Sequence, residues 1–471
     1  MNITAPFRRL ARVMADVPAI IRADDTSVSY AALDRAIDRV AARVAGLGLH
    51  PGDTAGLPIT GPDESLGLIL ALALARLGIA SADPTLPAAR RRLSFAPGGG
   101  PGVVGFDASW LAEGGAAADV PIPADGAAVC RVFASSGTTG AAKHLAISHD
   151  LMTRRVFANW LTPGAGRLAR IVAVNLGITW GFTATLRTLW QGGTLVLTNP
   201  RDAVAAIPRH HVASLLISPV GLRALLDALP PGGGRFPTLA TIEVGGSLIP
   251  APLREAAAAR LGAGIVIYLG ASETGGIASG PADALSARPG AVGYVHPDVE
   301  VQAVDAQDRP VPPGVEGALR VRSALTVAGY VGTEDRATAA FRDGWFYPGD
   351  LGAVWPDGAL TLAGRVGEVI NSGGIKVNPA AIEDALLSLP GVSEAAVFGV
   401  PDALGVDQVW AAIVAAAPIA TAALSRLCQE RLAGQAPRFI LQMKALPRNA
   451  NGKVRKDLLI AYAQQQARAG G

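Results

Sequence analysis

Phe133-Ala134-Ser135-Ser136-Gly137-Thr138-Thr139-Gly140-Ala141-Ala142-Lys143 follows the apolar run Ala127-Ala128-Val129-Cys130-Arg131-Val132. The run reads as a buried strand and the polar stretch as the loop it delivers. Four hydroxyls, two glycines and a lysine fall within nine residues. Hydroxyls and bare glycine amides wrap phosphate oxygens closely, and a lysine adds a mobile positive charge. No Gly-Lys-Ser/Thr closes the loop, so it is not a Walker A motif. Alone, the stretch fits ordinary turn chemistry as well as a nucleotide cradle, and the downstream sequence has to decide.

Working outward, short apolar strands and helices alternate. Ile171–Val174 precedes a helix near Phe182–Trp190, Thr194–Leu197 one near Ala203, Ser214–Ile217 one near Gly221–Ala228, and Thr241–Val244 one near Ala251–Arg260; Ile265–Tyr268 follows. This spacing predicts parallel sheets covered by helices, with ligands at the carboxyl ends of the strands. Upstream, a strand-like piece leads into a helix from Tyr30 to Leu47, and a second helix spans Asp63 to Leu77. Residues 97–126, rich in Gly, Ala and Pro, read as connecting structure.

After about residue 290, strand-like Val299–Val304 and Ala318–Val321 lie between Gly/Pro turns and predict a smaller antiparallel or barrel-like part. From Gly364 the pattern is a short α+β one: a helix at Pro379–Leu387, strands at Ala395–Val400 and Val409–Val414, and a helix at Thr421–Leu432. The tail after Tyr462 is polar and is expected to fray. The fold class is therefore α/β: a large N-terminal domain of parallel, helix-covered sheets with a small β-barrel-like part, residues 1–363, and a small α+β C-terminal domain, residues 364–471.

The 471 residues are half apolar and only 17% charged, enough for large cores in about two to four units. A net charge of +3 argues for neither nucleic acid nor an anionic membrane. Of the basic residues only five are lysines, at 143, 376, 444, 453 and 456, so a lysine in a Gly-rich loop stands out. Cys130 and Cys428 have no metal-ligand spacing and read as reduced core residues. No secretory signal pattern is visible in Met1–Ala23. The apolar run Leu66–Ala80 is interrupted by Arg76 and shorter than a bilayer span of roughly 20 residues, so it reads as a buried helix. A cytoplasmic protein, monomeric or homodimeric, is expected.

Four further polar loops follow the first. Leu269-Gly270-Ala271-Ser272-Glu273-Thr274-Gly275-Gly276 is a strand and Gly-rich turn with one carboxylate, suited to holding Mg2+ beside phosphates. Gly344-Trp345-Phe346-Tyr347-Pro348-Gly349-Asp350 ends in an aspartate. Gly364-Arg365-Val366-Gly367-Glu368 opens the third, which runs to Pro379, and Pro447-Arg448-Asn449-Ala450-Asn451-Gly452-Lys453 presents a lysine. Singly, Asp350 fits a turn cap, Glu273 and Arg365 surface charges, and Lys453 a solvated turn lysine.

Together and in this order the five stretches, spanning about residues 25–460, resemble the ANL adenylate-forming enzymes: acyl- and aryl-CoA synthetases, peptide-synthetase adenylation domains and luciferases. The resemblance implies a mobile C-terminal domain and a two-step reaction. A carboxylate attacks the α-phosphate of ATP, with Mg2+, to give an acyl-adenylate and pyrophosphate. The thiol of coenzyme A, or of a carrier protein's phosphopantetheine, then displaces AMP. No carrier domain is attached in the sequence, which leaves both acceptors open.

The resemblance also implies roles. Ser135, Ser136, Gly137, Thr138, Thr139, Gly140 and Lys143 would hold the β- and γ-phosphates, with Thr139 close to the chemistry. Glu273 would bind Mg2+, Asp350 both ribose hydroxyls, and Arg365 ribose or phosphate. Gly245, Gly246, Ser247, Leu269, Gly270, Ala271 and Ser272 would border the nucleotide. Lys453 would neutralise charge where carboxylate meets α-phosphate. A contact of that kind is worth ~10²–10³ in rate.

The sequence departs from the family at four places. Leu269 stands where an aromatic residue usually stacks on adenine, and Pro348 where Thr or Ser is usual. Gly367 occupies the hinge position, commonly Asp or Lys, and glycine permits a large rotation there. Ala142 and His144 replace the usual Pro and Gly around Lys143.

For the acid, the matching pocket segments are Asn175–Phe182, Ser218–Leu222, Val244–Ser247 and Leu269–Ile277, contributing Thr179, Trp180, Phe182, Gly270 and Gly275. The first segment has no acidic residue, whereas adenylation domains for α-amino acids carry an aspartate there. Trp180 and Phe182 favour an apolar acyl or aryl acid, and both fit ordinary core packing equally well. A non-catalytic nucleotide- or acyl-binding relative is the competing reading.

Overall fold

The computed structural model describes residues 1–59, 64–112, 120–135, 143–158, 168–332, 340–372, 375–401, 407–415, 417–420, 424, 426, 428, 436–448 and 453–469. Its contacts divide the chain into two units: Met1–Gly246 with Arg260–Ile277 and Arg322–Phe346, and Ser247–Ala259 with Ala278–Val321 and Tyr347–Gly471.

In the first unit, the alternation of strand and helix resolves into a parallel sheet. Gly264–Ala271, Thr241–Gly245, Val212–Ile217, Ala169–Ala173, Thr194–Val196 and Pro18–Ile21 are neighbours in that order, all parallel, and Ser27–Ser29 adds an antiparallel edge. Val212–Ile217 and Thr241–Gly245 are buried at every position, as strands covered on both faces must be. Helices Thr179–Trp190 and Pro219–Ala228 follow their strands. Ser218 caps the second, accepting from the Gly221 amide at 3.2 Å, with Pro219 at its first turn.

A second sheet in this unit orders Val104–Gly105, Leu93–Ala96, Thr54–Gly56, Ala80–Ala82, Val129–Ser135 and Lys143–Ser148, with only the last antiparallel. Helix Glu64–Arg76 is buried throughout almost its whole length, as the apolar run required. Its terminal Arg76 is wholly buried and is neutralised by Asp34 at 2.5 Å and Asp38 at 2.7 Å on helix Tyr30–Ala45. Truncating one partner of such a set leaves a buried charge uncompensated. The stretch read as connecting structure contributes packing as well: Trp110 meets Phe95 and Phe106 edge-on. Both cysteines are buried and free, and burial pushes the Cys130 thiol up to about 12.

The second unit contains the expected antiparallel part: Ala291–Val295, Ala359–Arg365, Asp350–Val354 and Gly317–Ser323 pair successively in antiparallel fashion. It also contains a three-stranded sheet of Val392–Pro401, Asp407–Ala415 and Phe439–Met443. Alternation along the central strand serves two cores. Val409, Ala411 and Ile413 face Ile382 and Leu386 of helix Pro379–Leu387, while Trp410 and Ala412 face Leu459 and Ala463.

That second core corrects the expectation of a fraying tail. Lys456–Ala469 is a helix, and Leu459 and Ala463, one turn apart, are both wholly buried. The expected helix Thr421–Leu432 lies mostly outside the described residues. No helix among the described residues is long and apolar enough to cross a membrane.

Candidate active site

Ser135 ends one strand and Lys143 begins the next, directly opposite each other in antiparallel register. Ser136, Gly137, Thr138, Thr139 and Gly140, expected to bind phosphate, lie outside the described residues. His144, where glycine is usual, is buried, and its Nε2 lies 3.1 Å from Thr85 Oγ1. Burial lowers its pKa.

Strand Gly264–Ala271 delivers the turn that carries Glu273. Two glycines shape it: a Cβ on Gly270 would stand 2.8 Å from the Gly275 carbonyl, and Gly275 has φ +78°. Glu273 is 8% exposed, and both its main chain and its carboxylate are fixed. Its carbonyl accepts from Val327 N–H at 2.9 Å and from Arg155 Nη2 at 2.8 Å. Arg155, itself buried, also donates to the carbonyls of Ser272 at 2.9 Å and Leu325 at 2.7 Å. Burial brings the Arg155 pKa down to about 10, so the guanidinium stays charged at neutral pH. The Tyr330 hydroxyl donates to Glu273 Oε1 at 2.9 Å.

The hard carboxylate oxygens of Glu273 suit Mg2+ chemically. Such a site fits a cation held by one carboxylate and by substrate phosphates.

Two of the expected acyl segments, Asn175–Phe182 and Val244–Ser247, approach one another at Trp180 and Gly245. The Trp180 ring stacks on Tyr268 with centroids 5.5 Å apart and planes 4° from parallel. A Cβ on Gly245 would lie 3.1 Å from the indole, so glycine is needed for the close approach. Gly246 has φ +90°. The indole N–H donates to Glu243 Oε1 at 3.2 Å, and Arg187 pairs with Glu243 Oε2 at 3.2 Å. Thr179 is the buried first residue of its helix. Phe182 is 1% exposed, edge-on to Phe133 and beneath the Arg131 guanidinium. Leu269 and Ala271 are half-buried; Ser247 is exposed. Glu243, Arg187 and Tyr330 escaped the sequence reading; a glutamate inside an otherwise apolar strand was the visible signal for the first.

In the second unit, Asp350 and Arg365 face one another across neighbouring strands, and Nε lies 3.0 Å from Oδ1. Arg365 Nη2 also donates to the Pro348 carbonyl at 2.6 Å. Burial raises the Asp350 pKa, opposed by the charges of Arg365 and Lys453. Lys453 is exposed, and its turn is closed by an isolated bridge between Arg448 and Val454 and by Arg455 N–H donating to Pro447 O at 2.8 Å. Asn449–Gly452 lie outside the described residues. A Cβ on Gly367 would meet nothing within 4 Å.

The chain matches the family model described as AMP-binding enzyme over residues 102–331 and that of the AMP-binding enzyme C-terminal domain over 381–453. Triostin synthetase I of Streptomyces triostinicus is 30% identical, covering 96% of this chain and 93% of its own. A feruloyl-CoA synthase from Amycolatopsis sp is 28% identical with 96% of each chain covered. Among solved structures, the O-succinylbenzoate coenzyme A synthetase of Bacillus subtilis, in complex with ATP and magnesium ion, superposes with TM-score 0.85 at 24% identity, covering 96% of this chain and 98% of that one. The fold is that of an adenylate-forming enzyme. The chain belongs to the AMP-binding enzyme family, within the ANL adenylate-forming superfamily.

Proposed function

We propose that the protein joins an apolar acyl or aryl carboxylic acid to the thiol of coenzyme A. The carboxylate oxygen attacks the α-phosphorus of ATP and pyrophosphate leaves. The thiol sulfur then attacks the acyl carbon, and AMP leaves with the bonding pair while the thiol proton is released. Ser135, Lys143 and the loop between them bind the phosphates. Glu273 would hold Mg2+, which would supply positive charge to offset that of the phosphates. Asp350 accepts the ribose hydroxyls, Arg365 contacts ribose or phosphate, and Lys453 neutralises the charge growing at the α-phosphate.

The observation that carries this reading is the match to both AMP-binding enzyme domains, over residues 102–331 and 381–453, supported by the Asp350–Arg365 pair at 3.0 Å. An apolar acid is supported by the stacked rings of Trp180 and Tyr268 and by Glu243, whose carboxylate is engaged by Trp180 and Arg187. Residues 364–471 act as the lobe that alternates between the two steps, with Gly367 as pivot. ATP as a substrate supports a cytoplasmic location, and the protein acts as a monomer or homodimer. The test is product analysis after incubation with ATP, Mg2+, coenzyme A and a panel of aliphatic and aryl acids. An acyl-CoA and AMP are expected. A thioester found only on a carrier protein's phosphopantetheine would overturn the choice of acceptor.

A further inference from the structure

We propose that Tyr330, which belongs to none of the five motifs, is a positioning residue that sets the Glu273 carboxylate for Mg2+ and holds Lys143 for the phosphates. The inference rests on the adenylation reading above.

Tyr330 is placed by contacts on three sides. Its neighbour Val331 donates its N–H to the His144 carbonyl at 2.8 Å, which ties the segment to the strand that begins at Lys143. Val327, three residues earlier, donates to the Glu273 carbonyl. Phe341 meets the Tyr330 ring edge-on at 5.2 Å. From this anchorage the hydroxyl reaches Glu273 Oε1 at 2.9 Å, and the ring lies under the Lys143 ammonium, 4.9 Å from its centroid. One side chain therefore touches both of the charges assigned to MgATP in this unit.

Each contact has a separate physical effect. A glutamate reaches its carboxylate through three rotatable bonds, and a hydrogen bond to one oxygen selects the rotamer that aims the other lone pairs. A phenol ordinarily titrates at ~10, so at neutral pH the hydroxyl carries its proton and donates it to the carboxylate. The ring face, negative in its quadrupole, attracts the lysine ammonium and restrains a side chain that otherwise samples many rotamers.

The two effects are separable by substitution. Tyr330→Phe deletes the hydroxyl and keeps the ring; Tyr330→Leu removes both. Binding of a non-hydrolysable ATP analogue is measured by calorimetry on the full chain, once with Mg2+ and once with a chelator. Thermal unfolding confirms that each variant is folded. Tyr330→Phe is expected to weaken the Mg2+-dependent affinity by about 10-fold to 100-fold and to leave metal-free binding within about twofold. Tyr330→Leu is expected to weaken metal-free binding as well.

In a Glu273→Gln background the Phe substitution should add nothing further, because the carboxylate it orients is gone. A Phe variant that binds the magnesium complex like the parent contradicts the proposal. So does an equal loss with and without metal, or the same loss in the Glu273→Gln background, each of which marks a packing effect. A parent protein that binds the analogue in neither condition removes the adenylation reading itself, and this inference with it.

Discussion

The Lys456 ammonium lies 2.8 Å from the Glu368 carboxylate, so the first turn of the terminal helix is fastened to the residue that follows Gly367. The same ammonium stands 3.0 Å from Glu383, which also accepts from the Val397 amide at 2.8 Å. Burial works against the lysine charge, but Glu383 and Glu368 outweigh it and raise the Lys456 pKa. Burial raises the pKa of Glu383 in turn. Gly367, the proposed pivot, is thereby followed directly by a residue tied to the terminal helix.

Lys456→Ala leaves Glu383 half-buried without its counter-ion. A loss of roughly 2 kcal/mol in urea unfolding is expected, the scale of a hydrogen bond to a charged group. Lys456→Arg should retain much of it, and adding Glu383→Gln to the alanine variant should recover part. An alanine variant as stable as the parent would show that the three charges are solvated singly.

Gly367→Ala separates folding from turnover. The added methyl meets nothing within 4 Å and the residue is not in the left-handed region, so stability should be unchanged or raised by up to ~1 kcal/mol. A pivot with less dihedral freedom slows the change between steps. The ratio of thioester formation to adenylate formation is expected to fall. An unchanged ratio places the pivot elsewhere.

His149 predicts a slope in acid stability. It is wholly buried, its Nδ1 accepts the Ile3 N–H at 3.1 Å, and burial lowers its pKa to about 4 from the usual 6.5. A histidine depressed in the folded state contributes its stability above pH 6.5 and loses it as pH falls toward 4, because the unfolded chain then binds the extra proton. Thermal unfolding should show the parent losing more stability than His149→Gln over that interval. Parallel curves would mean that the imidazole is protonated at no cost to the fold.

Most of the sheet-forming elements were legible because each is a short apolar run between polar turns, and runs such as Val212–Ile217 are buried on both faces. The order of the polar loops carried the family. What escaped were groups whose role arises only in three dimensions. Glu243 sits in a strand that reads as plain core, and its purpose depends on Arg187 and Trp180 arriving from another element. Tyr330 looks like one aromatic among several until its hydroxyl is seen on Glu273. The terminal helix was missed because Leu459, Ile460 and Ala463 find their core only against other elements, the strand Asp407–Ala415 among them. The expected nucleotide residues Asp350 and Arg365 also face one another across neighbouring strands, a pairing that depends on register.

The most direct measurement of the central claim is ATP–pyrophosphate exchange as a function of added carboxylic acid, with the parent and Lys453→Ala compared. The account predicts exchange that requires both an apolar acid and Mg2+, and that falls at least ~10² in the variant, while thioester formation from supplied acyl-adenylate is largely spared. Exchange with no acid in a broad panel, or equal loss of both half-reactions in Lys453→Ala, would contradict it.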